Sequence, residues 1–255
     1  MNILQRTLVE KTGHENGFEN VLSGSDYFVL LGSARHGTQV QITRNADKWL
    51  VEITESVSKL LLSELIRSFT SIQFNDGKFC ISSIDQFGKL LRRAAKLAQS
   101  LPNQAVDDFE LQVKAELEKF PADTIKNTEV ERMVRQRIGQ NTFRNAMLDY
   151  WGGACAVTGI ELPEILRASH AKPWAECSSD AERLDVFNGF LLSANLDALF
   201  DRFLISFDDF GKILISHRLT HEQRGVLGLF SNLSLRWITT EHLTYLKYHR
   251  SLFTA

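Results

Sequence analysis

The sequence is poor in several residue types that mark particular protein classes. Its three cysteines, Cys80, Cys155 and Cys177, are far apart and form no C-x-x-C pair, so neither disulfides nor a structural zinc site is expected. Only four prolines occur in 255 residues, with 44% hydrophobic and 24% charged residues. This is the composition of a folded protein with a substantial core, and it excludes a fibre or a disordered tail.

Two further absences bear on location and partners. No stretch approaches the ~20 apolar residues that cross a bilayer, and the opening residues lack a basic flank followed by an apolar run. These features predict no membrane association and a cytoplasmic location. The 29 basic and 31 acidic residues give a net charge of −2, so any contact with nucleic acid requires local basic patches.

The first half alternates apolar and polar residues in the manner of strands. Residues 26–33, 38–43 and 48–54 are rich in β-branched and aromatic side chains, which predicts a small antiparallel sheet. Asn75-Asp76-Gly77 between two apolar runs predicts a hairpin. Residues 57–69 and 87–101 show helical spacing, and residues 104–120 predict a connecting helix.

The best boundary follows that connecting helix. Pro121 ends it and polar residues come next, so the sequence predicts two domains, 1–121 and 122–255. Such lengths agree with the ~100–150 residues of ordinary domains. The predicted fold class is α+β in both.

The second half begins with a predicted helix over 128–149, where Thr128 and Glu131 have the spacing of a capping box. Next come a short strand that delivers Ser169 and His170, a long loop, a second strand over 189–193 and a helix over 195–203. A hairpin over 205–216 and an amphipathic helix at the C-terminus complete the prediction.

The region 165–207 contains residues suited to phosphodiester hydrolysis. Asp197 and Asp201 are four positions apart, so on a helix their carboxylates share one face and converge on one cation. A histidine with an ordinary pKa of ~6.5, such as His170, suits proton abstraction near neutral pH. Alternatively, Asp201 is a surface residue paired with Arg202 or Lys212.

The stretches ILRASHAKPW and NGFLLSANLDALFDRFLISF carry a family resemblance. They resemble the HNH endonucleases, in the subgroup whose motif reads RASH-x-KPW, then NG-LL, then LFD. The resemblance also takes in TEVERMVRQRIGQNTFR before the motif, CAVTGI, and FLISFDDFGKILIS at its end. It covers roughly the C-terminal half, whereas residues 1–121 resemble no family.

This resemblance implies a ββα-metal finger with assigned roles. His170 is the general base and Asn188 braces the loop, although Asn188-Gly189 is also a plain turn signal. The predicted metal ligands are Asp197, Asp201 and Ser169, and Asp197 takes the place of the motif's final histidine. Asp185 or water would complete the coordination sphere of the ion. The predicted substrate-binding residues are Arg167, Lys172 and Arg144. Carboxylate ligands favour one Mg²⁺ or Mn²⁺ over zinc.

The implied activity is cleavage of DNA in restriction or phage defence. The N-terminal domain would then recognise a sequence, a modified base or a small-molecule ligand. Tyr27, Phe28 and Trp49 are candidates for a base pocket, or else core residues. The rival interpretation is a DNA-binding module whose finger no longer cuts, because Ser169 is a weak ligand and the final histidine is absent. Homo-oligomerisation and autoinhibition by the N-terminal half are left open.

Overall fold

A computed structural model describes residues 1–45, 48–54, 60–120 and 128–253 of the chain. These form two compact units, Met1–Gln99 and Ser100–Ala255. The predicted connecting helix therefore lies within the second unit. Pro121, at the predicted boundary, lies outside the described residues, so the division at 121 stays a prediction.

The first unit combines one sheet with three helices. Its elements in chain order are α1 (Ile3–Glu15), β1 (Asn20–Gly24), β2 (Phe28–Gly32), β3 (Gln39–Asn45), β4 (Lys48–Thr54), α2 (Leu60–Ser68), β5 (Phe74–Asn75), β6 (Lys78–Ile81) and α3 (Ile84–Ser100).

The sheet of the first unit has six strands in the order β1-β2-β3-β4-β6-β5, and all of its pairings are antiparallel. Alternate residues along the central strands are buried, among them Leu31, Ile42 and Val51. Asp76 and Gly77 both adopt positive φ in the hairpin between β5 and β6. The predicted sheet and hairpin are confirmed, because the period-2 pattern and the turn residues specify them locally.

The sequence pattern did not predict α1 or β1. In α1 the large apolar residues Ile3 and Leu4 are mostly exposed, so they form no inward-facing stripe of the kind that identifies a helix. The signal that was present is a capping box between Asn2 and Gln5. Gly13 allows the end of α1 to approach β2, since a Cβ there would lie 2.5 Å from Leu31 Cδ1.

The second unit is built from helices around two small antiparallel strand pairs. Its elements are α4 (Pro102–Leu117), α5 (Thr128–Tyr150), β7 (Leu166–His170), α6 (Asp180–Leu184), β8 (Gly189–Ser193), α7 (Ala194–Asp201), β9 (Ile205–Phe207), β10 (Ile213–Ile215), α8 (His221–Val226) and α9 (Thr240–Leu252).

The order β7, long loop, β8, α7 is the predicted ββα arrangement. β7 pairs with β8 from Leu166 opposite Ser193 to His170 opposite Gly189, and α7 packs on both strands. The hairpin of β9 and β10 and the C-terminal helix α9 are also confirmed. The predicted cap at Thr128 lies outside the described side chains. Buried aromatic side chains, including Phe143, Phe190 and Phe200, fill the core beneath the strand pair.

None of the helices in the described part of the chain combines the length and apolar character that crossing a membrane requires.

Candidate active site

The site begins where β7 ends. Gly189 lies directly opposite His170, and a Cβ on Gly189 would be 2.1 Å from the backbone oxygen of Ser169. Only glycine permits this approach of the two strands. Asn188 ends a turn, since its N–H bonds the backbone oxygen of Asp185 at 2.9 Å, and Gly189 begins strand β8.

His170 is held in one orientation by two contacts. Its ring stacks on Phe143 of α5, with centroids 3.8 Å apart, and its Nε2 lies 2.8 Å from the backbone oxygen of Arg183. A carbonyl oxygen only accepts, so Nε2 carries the proton and Nδ1 carries the lone pair. Burial lowers the pKa of His170 to about 4, and its imidazole is therefore neutral at neutral pH.

The Nδ1 atom of His170 is available for chemistry. No described group hydrogen bonds to Nδ1, and this atom is not enclosed by the protein. His249 provides a contrast in the same unit: its Nε2 bonds the oxygen of Phe200 at 3.0 Å, and its Nδ1 bonds Ser206 Oγ at 2.9 Å. His249 has both ring nitrogens engaged, whereas His170 keeps one lone pair for a ligand or a proton.

Asn188 is fully buried and ties both ends of the loop that follows His170. Its Oδ1 accepts from the backbone N–H of Lys172 at 2.8 Å, and its Nδ2 donates to the oxygens of Glu182 at 3.0 Å and Lys172 at 3.3 Å. These are side-chain to backbone hydrogen bonds of the predicted kind. Their effect on catalysis stays a prediction.

Arg183 was missed by the sequence reasoning. Its backbone oxygen accepts the His170 bond, and its guanidinium donates to the oxygens of Trp174 at 3.2 Å and Cys177 at 2.7 Å and to Asp180 at 3.0 Å. One residue thus fixes both the loop and the histidine tautomer. No motif signals this role, because it depends on a backbone carbonyl.

Two carboxylates and a hydroxyl lie on the α7 side of the site. Ser169 is buried and its Oγ donates to Asp197 Oδ1 at 2.5 Å. Burial and the neighbouring charge of Asp197 raise the pKa of Asp201 to about 6. The two carboxylates are therefore close enough to repel one another, which is the arrangement that a divalent cation relieves.

Asp197, Asp201 and the Ser169 hydroxyl are the candidate ligands of the predicted ion. Among the described residues, no group of three or more histidine, cysteine, aspartate or glutamate side chains could hold a metal. Asp197 and Asp201 supply two hard oxygen donors, and Mg²⁺ commonly retains several waters in its remaining positions. The donor set therefore fits a hydrated hard cation, with Ser169 positioning Asp197.

The three predicted substrate-binding cations are engaged with the protein. Arg144 donates to the backbone oxygens of Leu166 at 2.7 Å and Pro163 at 3.0 Å. Arg167 donates to the oxygens of Glu164 and Leu166. Lys172 forms an ion pair with Glu182 at 2.7 Å.

The structure also places the residues for which the sequence left more than one role open. The Trp174 ring packs directly against Gly139, where an added Cβ would lie 2.3 Å from the ring. This contact agrees with the interpretation that Trp174 is a packing residue. Asp185 accepts hydrogen bonds from the Phe187 N–H and the Tyr245 hydroxyl, both at 2.9 Å. In the first unit, Trp49 is 8% exposed with the Arg44 guanidinium over its ring, whereas Tyr27 is 78% exposed.

A cleft of about 430 Å³ gives access to the site. Its lining includes His170, Asp201, Arg202, Phe203, Trp174 and His249. The proposed base and one carboxylate thus face the same space. An antiparallel strand pair with a histidine at its end, closed by a helix bearing two carboxylates, is the architecture of a ββα-metal finger.

Comparison with protein-family models assigns this region. Residues 155–208 match the HNH endonuclease family, which confirms the resemblance on the segment that carries β7, β8 and α7. The match supports a nuclease-type function and implies a DNA substrate. No curated protein matches the chain.

Proposed function

We propose that this protein hydrolyses DNA phosphodiester bonds with one divalent cation, Mg²⁺ or Mn²⁺, in the cleft at the end of β7. The observation that carries the proposal is the protonation pattern of His170. Its proton is fixed on Nε2 by the Arg183 carbonyl, its Nδ1 lone pair remains accessible, and the ring lines the same cleft as Asp201. A neutral imidazole with an oriented lone pair is what a general base requires.

In the proposed reaction His170 Nδ1 accepts a proton from a water molecule that attacks the phosphorus. The P–O bond to one deoxyribose oxygen breaks, and the departing oxygen takes up a proton from solvent. The bound phosphate is an anion and favours the protonated ring, whereas a bound cation would oppose protonation. The Arg183 carbonyl then stabilises the imidazolium through the bond from Nε2. Asp197 and Asp201 would hold the cation, and Ser169 would orient Asp197 through its hydrogen bond to Oδ1. When bound, the cation supplies Lewis-acid stabilisation of the charge that develops on phosphate oxygens.

Plasmid cleavage tests this proposal. The purified protein is incubated with supercoiled DNA in Mg²⁺, Mn²⁺ or EDTA, beside His170→Ala. We expect nicking or linearisation in at least one ion, none in EDTA, and none by the variant. Equal cleavage by the variant, or cleavage in EDTA, would contradict the assignment.

A specific observation favours a second candidate, a DNA-binding module that does not cut. The described residues contain no cluster of three metal-binding side chains, and Ser169 donates to a carboxylate. This candidate predicts that wild type and His170→Ala shift DNA equally on a gel and leave it intact in every ion.

The first unit is proposed to supply target recognition or regulation in a cytoplasmic restriction or phage-defence nuclease. Phosphate contacts in the cleft carry little sequence information. Specificity then has to come from other surfaces of the chain. Binding competition between methylated and unmodified DNA tests this role. Equal affinities for all modifications and sequences would contradict target recognition by the first unit.

A further inference from the structure

We infer that Arg202 is the residue that binds the scissile phosphate, an inference that rests on the proposed function. The cleft is lined by one permanent cation in the described part of the chain, and this cation is Arg202. Asp201 lines the same wall of the cleft and is a carboxylate. An anionic phosphate entering this cleft needs a compensating positive group, and guanidinium binds phosphate oxygens in a bidentate manner.

The engagement of the other cations supports this choice. Arg144, Arg167 and Lys172 each direct their polar atoms to backbone oxygens or to Glu182. Arg202 is exposed, and no described residue forms a hydrogen bond or a salt bridge with its guanidinium. Its electrostatic partner is the neighbouring Asp201. Arg202 can therefore contact a ligand without breaking a bond within the protein.

The backbone at the end of α7 fixes the position of Arg202. The N–H of Phe203 bonds the oxygen of Phe200 at 2.8 Å, and the N–H of Leu204 bonds the oxygen of Leu199 at 2.9 Å. This double closure is a Schellman motif with Arg202 at the helix cap. The Cα of Arg202 is consequently held by the same helix that carries the carboxylates.

Phe203 follows Arg202, lines the same cleft and has an unusual backbone conformation. It occupies the left-handed position of the motif at φ 55°, where glycine is usual. A bulky residue at such a φ costs about 1 kcal/mol or more. The phenyl ring lies 4.8 Å from His249 and lines the cleft beside Arg202. The presence of a bulky side chain at this unfavourable backbone position agrees with a role of Phe203 in lining the cleft.

The experiment compares Arg202→Ala and Arg202→Lys with Arg218→Ala. Arg218 is an exposed arginine of the same unit that does not line the cleft. Binding of a fluorescent DNA duplex is measured by anisotropy in Ca²⁺ at several salt concentrations, and single-turnover cleavage is measured in Mn²⁺. We expect Arg202→Ala to lower the salt slope by about 0.9, the value for one lost phosphate contact.

Cleavage by Arg202→Ala should fall about 100- to 1000-fold, as when one donor to a transition-state oxyanion is removed. Arg202→Lys should retain an intermediate rate, because lysine keeps the charge and loses the bidentate geometry. Arg218→Ala should match wild type. If Arg202→Ala melts early, Arg202→Gln, which keeps the aliphatic stem, takes its place.

The binding and cleavage measurements distinguish the role of Arg202 from the proposed hydrolysis. If wild type cuts and Arg202→Ala matches Arg218→Ala in both rate and salt slope, the assignment of Arg202 is overturned while hydrolysis stands. If wild type cuts in no ion and Arg202→Ala still loses the phosphate contact, hydrolysis is refuted and the binding role of Arg202 is kept.

Discussion

The two compact units place their buried polar groups differently. In the first unit Glu64 is buried but forms an ion pair with Arg67, and His36 lies near a loop with one ring nitrogen on the Gly17 oxygen. In the second unit Ser169 and Asn188 are buried around a single strand end and loop. Burying a polar group costs free energy unless it is hydrogen-bonded. The second unit meets that cost with a connected network around His170.

The histidines make the contrast specific. His36 and His170 both place Nε2 on a backbone carbonyl, and burial lowers the pKa of both. The Nδ1 of His36 is buried and has no described partner, whereas the Nδ1 of His170 is accessible. The same side chain in the same protonation state is therefore structural in one unit and a candidate base in the other.

The largest expected effect comes from removing that base. His170→Ala should lower single-turnover cleavage about 100- to 10,000-fold, the range of general-base catalysis. His36→Ala is the matched control. It should reduce thermal stability and leave the cleavage rate of the folded protein within about twofold, since surface and core changes away from a site act mainly on stability. A large loss of rate in His36→Ala would erase the contrast between the units.

Asp197→Ala should have the next largest effect, because it removes a cation donor and the partner of Ser169. We expect Mg²⁺ at 100 times its Kd to stabilise wild type by about 2.7 kcal/mol and the variant by much less. Thermal melts with and without Mg²⁺ measure this. Asp209→Ala, which changes an exposed aspartate paired with Arg250, is the control and should keep the full Mg²⁺ response.

Gly189→Ala tests the close approach of β7 and β8. The added Cβ would meet the Ser169 backbone, so we expect a loss of about 1–3 kcal/mol in the free energy of unfolding, as for overpacked sites. Denaturant melts measure the change. Gly225→Ala is the control: it lies in α8 with open space around a new Cβ and should be neutral or stabilise by up to about 1 kcal/mol. Equal effects would mean that β7 and β8 separate readily.

The last expected effect is the pH dependence of the stability of the second unit. His170 and His249 have folded pKa values of about 4 against an ordinary 6.5. The unfolded chain binds more protons between these values, so stability falls as pH drops from 6.5 to 4. For the fully buried His249 the loss is on the order of 2–3 kcal/mol.

Asp201 acts in the opposite direction over part of this window. Its pKa is raised from 3.8 to about 6, so its stabilising contribution is present at low pH and is lost as pH rises through 6. Asp201→Asn should therefore make the acid-induced loss steeper. Tryptophan fluorescence in a Trp49→Phe background reports on the second unit alone, because Trp151, Trp174 and Trp237 all lie there. An unchanged slope in Asp201→Asn would contradict the assignment of that pKa.

Local patterns predicted most of the secondary structure. The strand over 48–54 has the predicted bounds, because its buried and exposed residues alternate. The strand over 189–193 also has the predicted bounds and is a short run in which every residue is buried. The α1 helix escaped prediction because its apolar residues are exposed and its cap is the main local signal. Short elements such as α6 and α8 also escaped, since five or six residues cannot show a period.

The residues of the candidate site also divide into those that the sequence predicted and those that it did not. The spacing of Asp197 and Asp201 predicted two carboxylates on one helix face, because residues four apart on a helix share a face wherever the helix lies. The role of His170 came from the resemblance of its motif to the HNH endonucleases. The engagement of Arg144 and Arg167 by backbone oxygens could not be predicted, since a carbonyl partner leaves no trace in residue identity. The same reason hid Arg183 and left Arg202 as no more than a partner for Asp201.

The sequence by itself determined the ββα order, the position of the histidine at a strand end and the pairing of two carboxylates on one helix face. The shared helix face follows from the four-residue spacing, and the ββα order and the histidine position follow from the resemblance of the motif to the HNH endonucleases. Only the tertiary structure decided which nitrogen of His170 is protonated, which cation faces the cleft and why Gly189 must be glycine. Each of these depends on atoms brought together from distant parts of the chain, and burial and distance set their energies.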